Sequence, residues 1–349
     1  MTSDVDLRRA ATFADPRLEA ELDERGFVVV DLLTPADVEV LTEIAGRLYV
    51  DPREGFHASN LSGHHDYRRA VEREVGPVVS SAASGLFIDH EPYTASLLMK
   101  WPDPTSAFHT HQDWTMVDES VYRTVNVWCP LVDTDVGNGA LRVLPGSHRV
   151  LTSIRCSPMP PAGCESAGWQ VSPDEMEPVE LRVGQALVFD HALLHGSGPN
   201  LSDRPRWAVA TAFKPRAATL RHWYLPDPSR PTLEVFDVAA TFFADIDIGE
   251  RPPGEPVATE EFRSDGLSRD QLLRRCGHDV PRTGVLRDPG RQEQLDRLGW
   301  VVVDLFSESE VEALRSAYEG LPHHITVDRS FARGFHATVI DDRADYRRA

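Results

Sequence analysis

Lysine is almost missing. Lys100 and Lys214 are the two lysines in 349 residues, and the formal net charge is −19. The bias toward arginine reflects the codon usage of a GC-rich genome more than any chemical need. So acidic a chain lacks the basic stripe that a nucleic-acid surface requires, which excludes DNA and RNA as expected partners. Long apolar runs are missing too. Nothing approaches the ~20 residues of a membrane span, and the charged stretch Met1–Glu24 is no signal peptide. Cysteine is scarce: Cys129, Cys156, Cys164 and Cys276 show neither CxxC spacing nor disulfide density. Reduced thiols and a cytoplasmic setting are therefore expected, with a Cys156–Cys164 bridge as the minority alternative. The sequence does have enough apolar content, 41%, for one large domain or two ordinary ones.

Against that background stands Phe108-His109-Thr110-His111-Gln112-Asp113-Trp114. On an extended strand, residues i, i+2 and i+4 share a face, so His109, His111 and Asp113 point the same way. Imidazole and carboxylate together are a first-row transition-metal ligand set. A site needs further ligands, and the best one lies downstream. There the apolar run Leu187–Phe189 leads through His191 to His195-Gly196-Ser197-Gly198-Pro199-Asn200, where a strand should end. His191 competes with His195 for the role. Arg204 and Arg206 follow, ahead of a second apolar strand, Ala208–Phe213. Two imidazoles and a carboxylate on one face of iron(II) leave the opposite face open, as in non-haem oxygenases. A guanidinium fork beyond them suits the far end of a dicarboxylate.

At these residues the chain resembles the phytanoyl-CoA dioxygenase superfamily of iron(II)- and 2-oxoglutarate-dependent oxygenases. The resemblance runs through His111-Gln112-Asp113, Asn126-Val127-Trp128, Asn138-Gly139-Ala140-Leu141-Arg142-Val143-Leu144-Pro145-Gly146-Ser147-His148, His195-Gly196-Ser197, Asn200 and Arg206. It covers roughly residues 20 to 250. It implies that His111, Asp113 and His195 hold Fe(II), with Gly-Ser after the ligand selecting His195 over His191. Arg206 is implied as the clamp on the distal carboxylate of 2-oxoglutarate, in preference to Arg204. Ser197, Trp128 and His109 are implied as co-substrate contacts. Lys100 and Trp114 are expected on the substrate side, and His148 is expected to be structural. The implied reaction consumes O2 and 2-oxoglutarate, releases succinate and CO2, and hydroxylates an aliphatic carbon of a small metabolite or natural-product intermediate. Halogenating relatives carry Gly or Ala at the position of Asp113, so hydroxylation is the expected outcome.

Other classes compete. His109-x-His111-x-Asp113 also resembles the start of the metallo-β-lactamase hydrolase motif, although Trp114 stands where that motif needs its next histidine. A non-catalytic jelly-roll binding protein would keep the fold without needing triad and arginine together.

The architecture follows from the pattern along the chain. Gly26–Leu33 reads as a short buried strand, and Thr34-Pro35-Ala36-Asp37 opens a helix with a hydroxyl cap, proline at the first position and an acid at the third. A second helix runs from about Asp66 to Ala83. Strands are then expected at Ser96–Lys100, Ala107–Asp113, Thr124–Leu131, Ala140–Leu144, Gln185–Phe189 and Ala208–Phe213, with Asn138-Gly139 as a hairpin turn. Cys156–Glu180 reads as a long loop at a barrel mouth. The sum is a mainly β fold with flanking helices, a double-stranded β-helix or cupin-like jelly roll.

One pattern lies outside this scheme. Leu295–Leu305 repeats Leu22–Leu32, Gly334-Phe335-His336-Ala337 repeats Gly55-Phe56-His57-Ala58, and Asp345–Ala349 repeats Asp66-Tyr67-Arg68-Arg69-Ala70. Three tracts returning in order imply an internal repeat. The expected organisation is an oxygenase domain over 1–250, a linker over 251–289 and a partial second copy over 290–349 without a metal strand. A parent chain with a second oxygenase module would explain that copy.

Overall fold

The structure is a computed structural model and describes residues 11–50, 52–158, 160, 166–278, 288–298, 300–303 and 306–319. The chain forms two units, Met1–Val280 and Pro281–Ala349. In the first, the elements are α1 (Pro16–Arg25), β1 (Phe27–Asp31), α2 (Pro35–Leu48), β2 (Phe56–Ala58), α3 (His65–Ala82), β3 (His90–Lys100) and β4 (Phe108–His111). There follow β5 (Val125–Pro130), β6 (Leu141–Val143), β7 (Glu177–Val179), β8 (Gln185–Asp190), β9 (His195–Ser197) and β10 (Arg206–Pro215). Last come β11 (Arg221–Tyr224), β12 (Thr232–Asp237), α4 (Phe242–Asp245), β13 (Ala258–Glu261) and α5 (Arg269–Arg275).

Local chemistry sets the starts and stops. The Asp15 carboxylate accepts from the Arg17 amide at the head of α1, and Thr34 and Asp37 form the expected reciprocal cap on α2. Gly26 ends α1 at φ 84°. A Cβ there would lie 2.5 Å from the His148 ring and 2.8 Å from Leu193, so only glycine lets α1 turn into β1 this close to the sheet.

A six-stranded antiparallel sheet, β1-β8-β5-β10-β3-β2, faces a four-stranded one, β4-β9-β6-β7. Along the large sheet, side chains alternate between two cores. Val125, Val127, Cys129, Ala186, Val188 and Val209 pack with Leu22, Leu41, Val71 and Val75 of α1–α3. The intervening Trp128, Leu187, Phe189, Ala208 and Ala210 pack with Leu141, Val143 and Val179 of the small sheet. Period-two alternation with helices on one face and a second sheet on the other is the helix-buttressed jelly roll the pattern predicts.

Three expectations need correction. The linker expected over 251–289 is, through Cys276, part of the fold: β13 pairs with β12 in a third sheet, β11-β12-β13. Beyond it, α5 buries Leu272 and Leu273 against Leu144, Leu151 and Leu194. A pair of leucines within a charged run is enough to dock a two-turn helix, whereas the Pro and Gly content that suggests a linker is concentrated in 252–256. The Asn138-Gly139 turn is not a hairpin, because β5 and β6 lie in different sheets. Asp135 and Asn138 cap a single 3-10 turn there, and Gly139 at φ 82° carries the chain from one sheet to the other. The loop expected from Cys156 to Glu180 is packed in its second half, where Ala167, Val171 and Met176 join the core of α5.

The second unit contributes α6 (Pro289–Leu298) and α7 (Glu308–Glu319). Residues 300–303, expected to begin a strand, carry no ladder, and Trp300 and Val302 are 58% and 73% exposed. The matching segment of the first unit is a strand because β8 pairs with it along its whole length. The repeat tracts 334–337 and 345–349 lie outside the described residues. Among the described residues no helix is long and apolar enough to cross a membrane.

Candidate metal centre

The two distant segments singled out by sequence meet as neighbouring strands. β4 pairs with β9 so that His111 stands opposite His195, with ring centroids 4.2 Å apart. Asp113, just past the end of β4, brings Oδ1 to 3.9 Å from His195 Nε2. One ligand atom from each of His111, Asp113 and His195 lies within 4.8 Å of the others.

Hydrogen bonds prepare these groups as ligands. His111 Nδ1 lies 2.9 Å from the His109 carbonyl, and His195 Nδ1 lies 3.0 Å from the Leu193 carbonyl. A carbonyl can only accept, so both Nδ1 atoms carry the proton and both Nε2 atoms present a lone pair. Desolvation, and then the neighbouring His195 ring, pushes the His111 imidazole down to about 3. It is therefore neutral at physiological pH, as ligation requires. Burial alone would raise the Asp113 carboxyl. The His195, His191 and His111 rings and the Asn126 amide outweigh it and hold the group below the usual carboxylate range. Asn126 Nδ2 donates to Asp113 Oδ2 at 3.2 Å. One carboxylate oxygen is thus held back while the other faces His195, the set-up for a single-oxygen ligand. A donor set of two imidazole nitrogens and one carboxylate oxygen fits a first-row ion such as iron(II).

His191, the in-sequence competitor, stands behind the cluster. Its Nε2 is 3.9 Å from Asp113 Oδ2, and its Nδ1 is 3.4 Å from the Tyr93 hydroxyl.

A second group forms where β10 pairs with β3, with Arg206 opposite Lys100. Arg206 is 2% exposed, and its guanidinium lies over the Trp128 ring at 5.2 Å. Nη2 donates to the Gly139 carbonyl at 3.3 Å, while Nε and Nη1 are buried without a partner. Among the described residues no carboxylate pairs with it. Lys100, fully buried, donates to the carbonyls of Ser106 and Gly198. Burial first, and Arg206 second, brings its ammonium down to about 6. Burial likewise lowers Arg206 to about 9. Sequence placed Lys100 with the substrate; the structure places it beside Arg206. Gly139 fits between them, since a Cβ there would lie 2.9 Å from both Gly198 O and Lys100 Cδ. Ser197 is buried two residues after His195 on β9, so the two side chains share a face.

The other candidates scatter. His109 is exposed and outside the ligand group, so its side chain does not complete a His-x-His-x-Asp hydrolase site. Trp114 packs on His222 at 5.8 Å and on the cluster of Met116 and Leu220. Arg204 is exposed and lies by Asp203. Sequence reasoning missed Asn126 as a partner of Asp113, and it missed the Arg155–Glu119 pair whose guanidinium donates to the Asp113 carbonyl. Asn126 was within reach, because it belongs to a tract already singled out; nothing in the sequence marks Arg155. A cleft of about 680 Å³ opens elsewhere, lined by Thr152, Ser153, Asp265 and Arg275 among others, and none of the cluster residues lines it.

The sequence is similar to known proteins. The sequence matches the phytanoyl-CoA dioxygenase (PhyH) family over residues 22–208, more than half of the chain. A phytanoyl-CoA dioxygenase domain-containing protein 1 homolog of Dictyostelium discoideum is 28% identical over 109 residues, which is 30% of this chain and 39% of that protein. The chain thus spans well under half the length of that relative. Ectoine dioxygenase of Streptomyces coelicolor is 26% identical over 245 residues, covering 57% of this chain and 80% of the enzyme. Among solved structures, the non-haem α-ketoglutarate-dependent epimerase SnoN of nogalamycin biosynthesis aligns with a TM-score of 0.42 at 22% identity, over 58% of this chain and 84% of its own. The chain belongs to the phytanoyl-CoA dioxygenase family of 2-oxoglutarate-dependent non-haem iron oxygenases.

Proposed function

We propose that the first unit hydroxylates an aliphatic carbon of a small metabolite or natural-product intermediate, using Fe(II), O2 and 2-oxoglutarate. The observation that carries this reading is the pairing of two features: a two-histidine, one-carboxylate group on adjacent strands, and a buried arginine with two unpartnered guanidinium nitrogens. Along β9 a strand rises about 3.3 Å per residue, so the span from His195 to Ser197 is roughly 7 Å, the scale of a five-carbon dicarboxylate.

Each residue has a task in this reading. His111, Asp113 and His195 hold the metal. Asn126, donating to Asp113 Oδ2, would leave the other carboxylate oxygen to hold the metal. Arg206, aided by Lys100 and Ser197, takes the distal carboxylate, and Trp128 fixes the plane of the guanidinium. When bound, the iron supplies the oxidative chemistry: one atom of O2 goes to succinate as CO2 leaves, and the other goes to the substrate carbon as hydroxyl. Selectivity among C–H bonds then rests on how the protein positions the substrate. Residues 290–349 are read as a partial second copy without a metal strand of its own, and the free thiols of Cys129 and Cys276 favour a reducing, cytoplasmic setting.

The test is anaerobic addition of 2-oxoglutarate to the Fe(II)-loaded protein, followed by O2 and succinate analysis. A metal-to-ligand charge-transfer band and succinate are expected from the native chain, and neither from His195→Ala. Absence of both in the native chain refutes the reading.

A further inference from the structure

The ladder of β4 ends at His111, yet the third ligand group, Asp113, comes two residues later. Its placement therefore depends on bonds outside the sheet. The Asp113 amide donates to the His191 carbonyl at 3.0 Å, and Arg155 Nε donates to the Asp113 carbonyl at 2.8 Å. Arg155 is itself held on three sides. Its fork meets Glu119 at 2.6 and 2.5 Å. Its backbone exchanges bonds with Thr115, amide to Oγ1 at 3.0 Å and carbonyl from the Thr115 amide at 3.1 Å.

The loop carrying Arg155 is tied down from beyond the family-matched region, by Asp265. That one carboxylate accepts from the Thr152 amide at 2.8 Å, Thr152 Oγ1 at 3.1 Å, the Ser153 amide at 3.1 Å and Ser153 Oγ at 2.6 Å. The Asp265 amide in turn donates to Ser153 Oγ at 2.9 Å. Asp265 is anchored by the helix that follows it, through Leu272 and Leu273 against Leu151. The segment expected as a linker thus reaches a metal-ligand peptide in two steps.

We propose that Asp265 is a positioning residue for the metal centre: through Thr152 and Ser153 it seats Arg155 on the Asp113 carbonyl and so sets the direction from which the carboxylate meets the ion. This rests on the metal reading above. Outer partners of ligands fix ligand orientation, and their loss costs about 10-fold to 100-fold in metal affinity.

The test is Co(II) titration of the full chain, followed by visible absorption, with His111→Ala identifying the site. Arg155→Lys keeps the charge but loses the fork and is expected to weaken Co(II) binding by about 10-fold to 100-fold. Asp265→Ala is expected to weaken it by about tenfold, with the double variant no weaker than Arg155→Lys alone, because both act through one contact. Should Asp265→Ala not fold, Asp265→Asn gives the same reading with a smaller effect. Loss confined to the melting midpoint, with Co(II) affinity within about twofold of native, overturns the inference and leaves the metal site standing; so do effects that simply add in the double variant. A native chain that takes up no Co(II) overturns the metal reading and this inference together.

Discussion

Lys100 and Arg206 stand side by side on adjacent strands, buried, and among the described residues no carboxylate pairs with either. A distal carboxylate entering there should recharge Lys100. Free, its ammonium titrates at about 6 against an ordinary 10.5, so at pH 7.5 only about 3% is charged. Bound, it moves back toward the ordinary value because an anion now faces it. Binding must then take up about one proton per 2-oxoglutarate at pH 7.5. The sign follows from the depressed value. Affinity is full below about pH 6 and falls as pH rises toward the restored value, at about 1.4 kcal/mol, or tenfold, per pH unit. Between pH 6.5 and 8.5 the dissociation constant should therefore rise by about 100-fold at saturating metal. Calorimetry in two buffers of different ionisation enthalpy measures the proton uptake, and Lys100→Met should flatten the pH slope. An affinity independent of pH over that range, or no proton taken up, refutes the placement of the co-substrate carboxylate at Lys100.

Further outcomes follow from other contacts. Gly139→Ala forces a Cβ within 2.9 Å of Gly198 O and Lys100 Cδ at a positive φ; 2-oxoglutarate binding should weaken by about 5-fold to 150-fold, as titration of the charge-transfer band would show, because strain of ~1–3 kcal/mol falls beside Lys100 and Arg206. Asn126→Leu removes the donor to Asp113 Oδ2 and should raise the metal dissociation constant by about 10-fold to 100-fold, read by Co(II) titration. A chain ending at Val280 should keep Co(II) and 2-oxoglutarate affinities within about twofold of the full chain, since every candidate site residue lies in the first unit. Loss of either affinity on truncation would assign residues 281–349 a role in the site.

The parts of the fold that sequence predicts best are those where periodicity and chemistry agree. Thr34-Pro35-Ala36-Asp37 starts α2 where the cap says it should, and β5 and β8 alternate between two apolar cores because both faces of the large sheet are covered. The short elements β2, β7 and β9 escape notice because, unlike the equally short β6, they sit in no apolar run that betrays them. β9 is nevertheless the strand that delivers His195, and its ladder to β4 and β6 is a long-range fact that no local pattern encodes. The linker reading fails over 251–276 for a related reason: composition averages over a window, while two leucines in register decide whether α5 docks.

The site divides along the same line. The candidate ligand group His111, Asp113 and His195 is legible because metal chemistry restricts which side chains can serve and because a strand puts alternate residues on one face. What holds those ligands is not legible, because it comes from backbone carbonyls and distant polar groups. The carbonyls of His109 and Leu193 fix which nitrogen of each imidazole is free, and a carbonyl carries no sequence signature. Lys100 shows the limit most plainly. As one of two lysines in the chain it stood out from the start, yet only the register of β3 against β10 decides whether it faces substrate or Arg206. A shift of one residue in that register would turn Lys100 to the opposite face of the sheet. Its position beside Arg206 is therefore a property of the unbroken ladder from Thr94 to Lys100, which ends at the register shift between Ala212 and Phe213, and the Lys100–Arg206 pair inherits its geometry from that length of sheet.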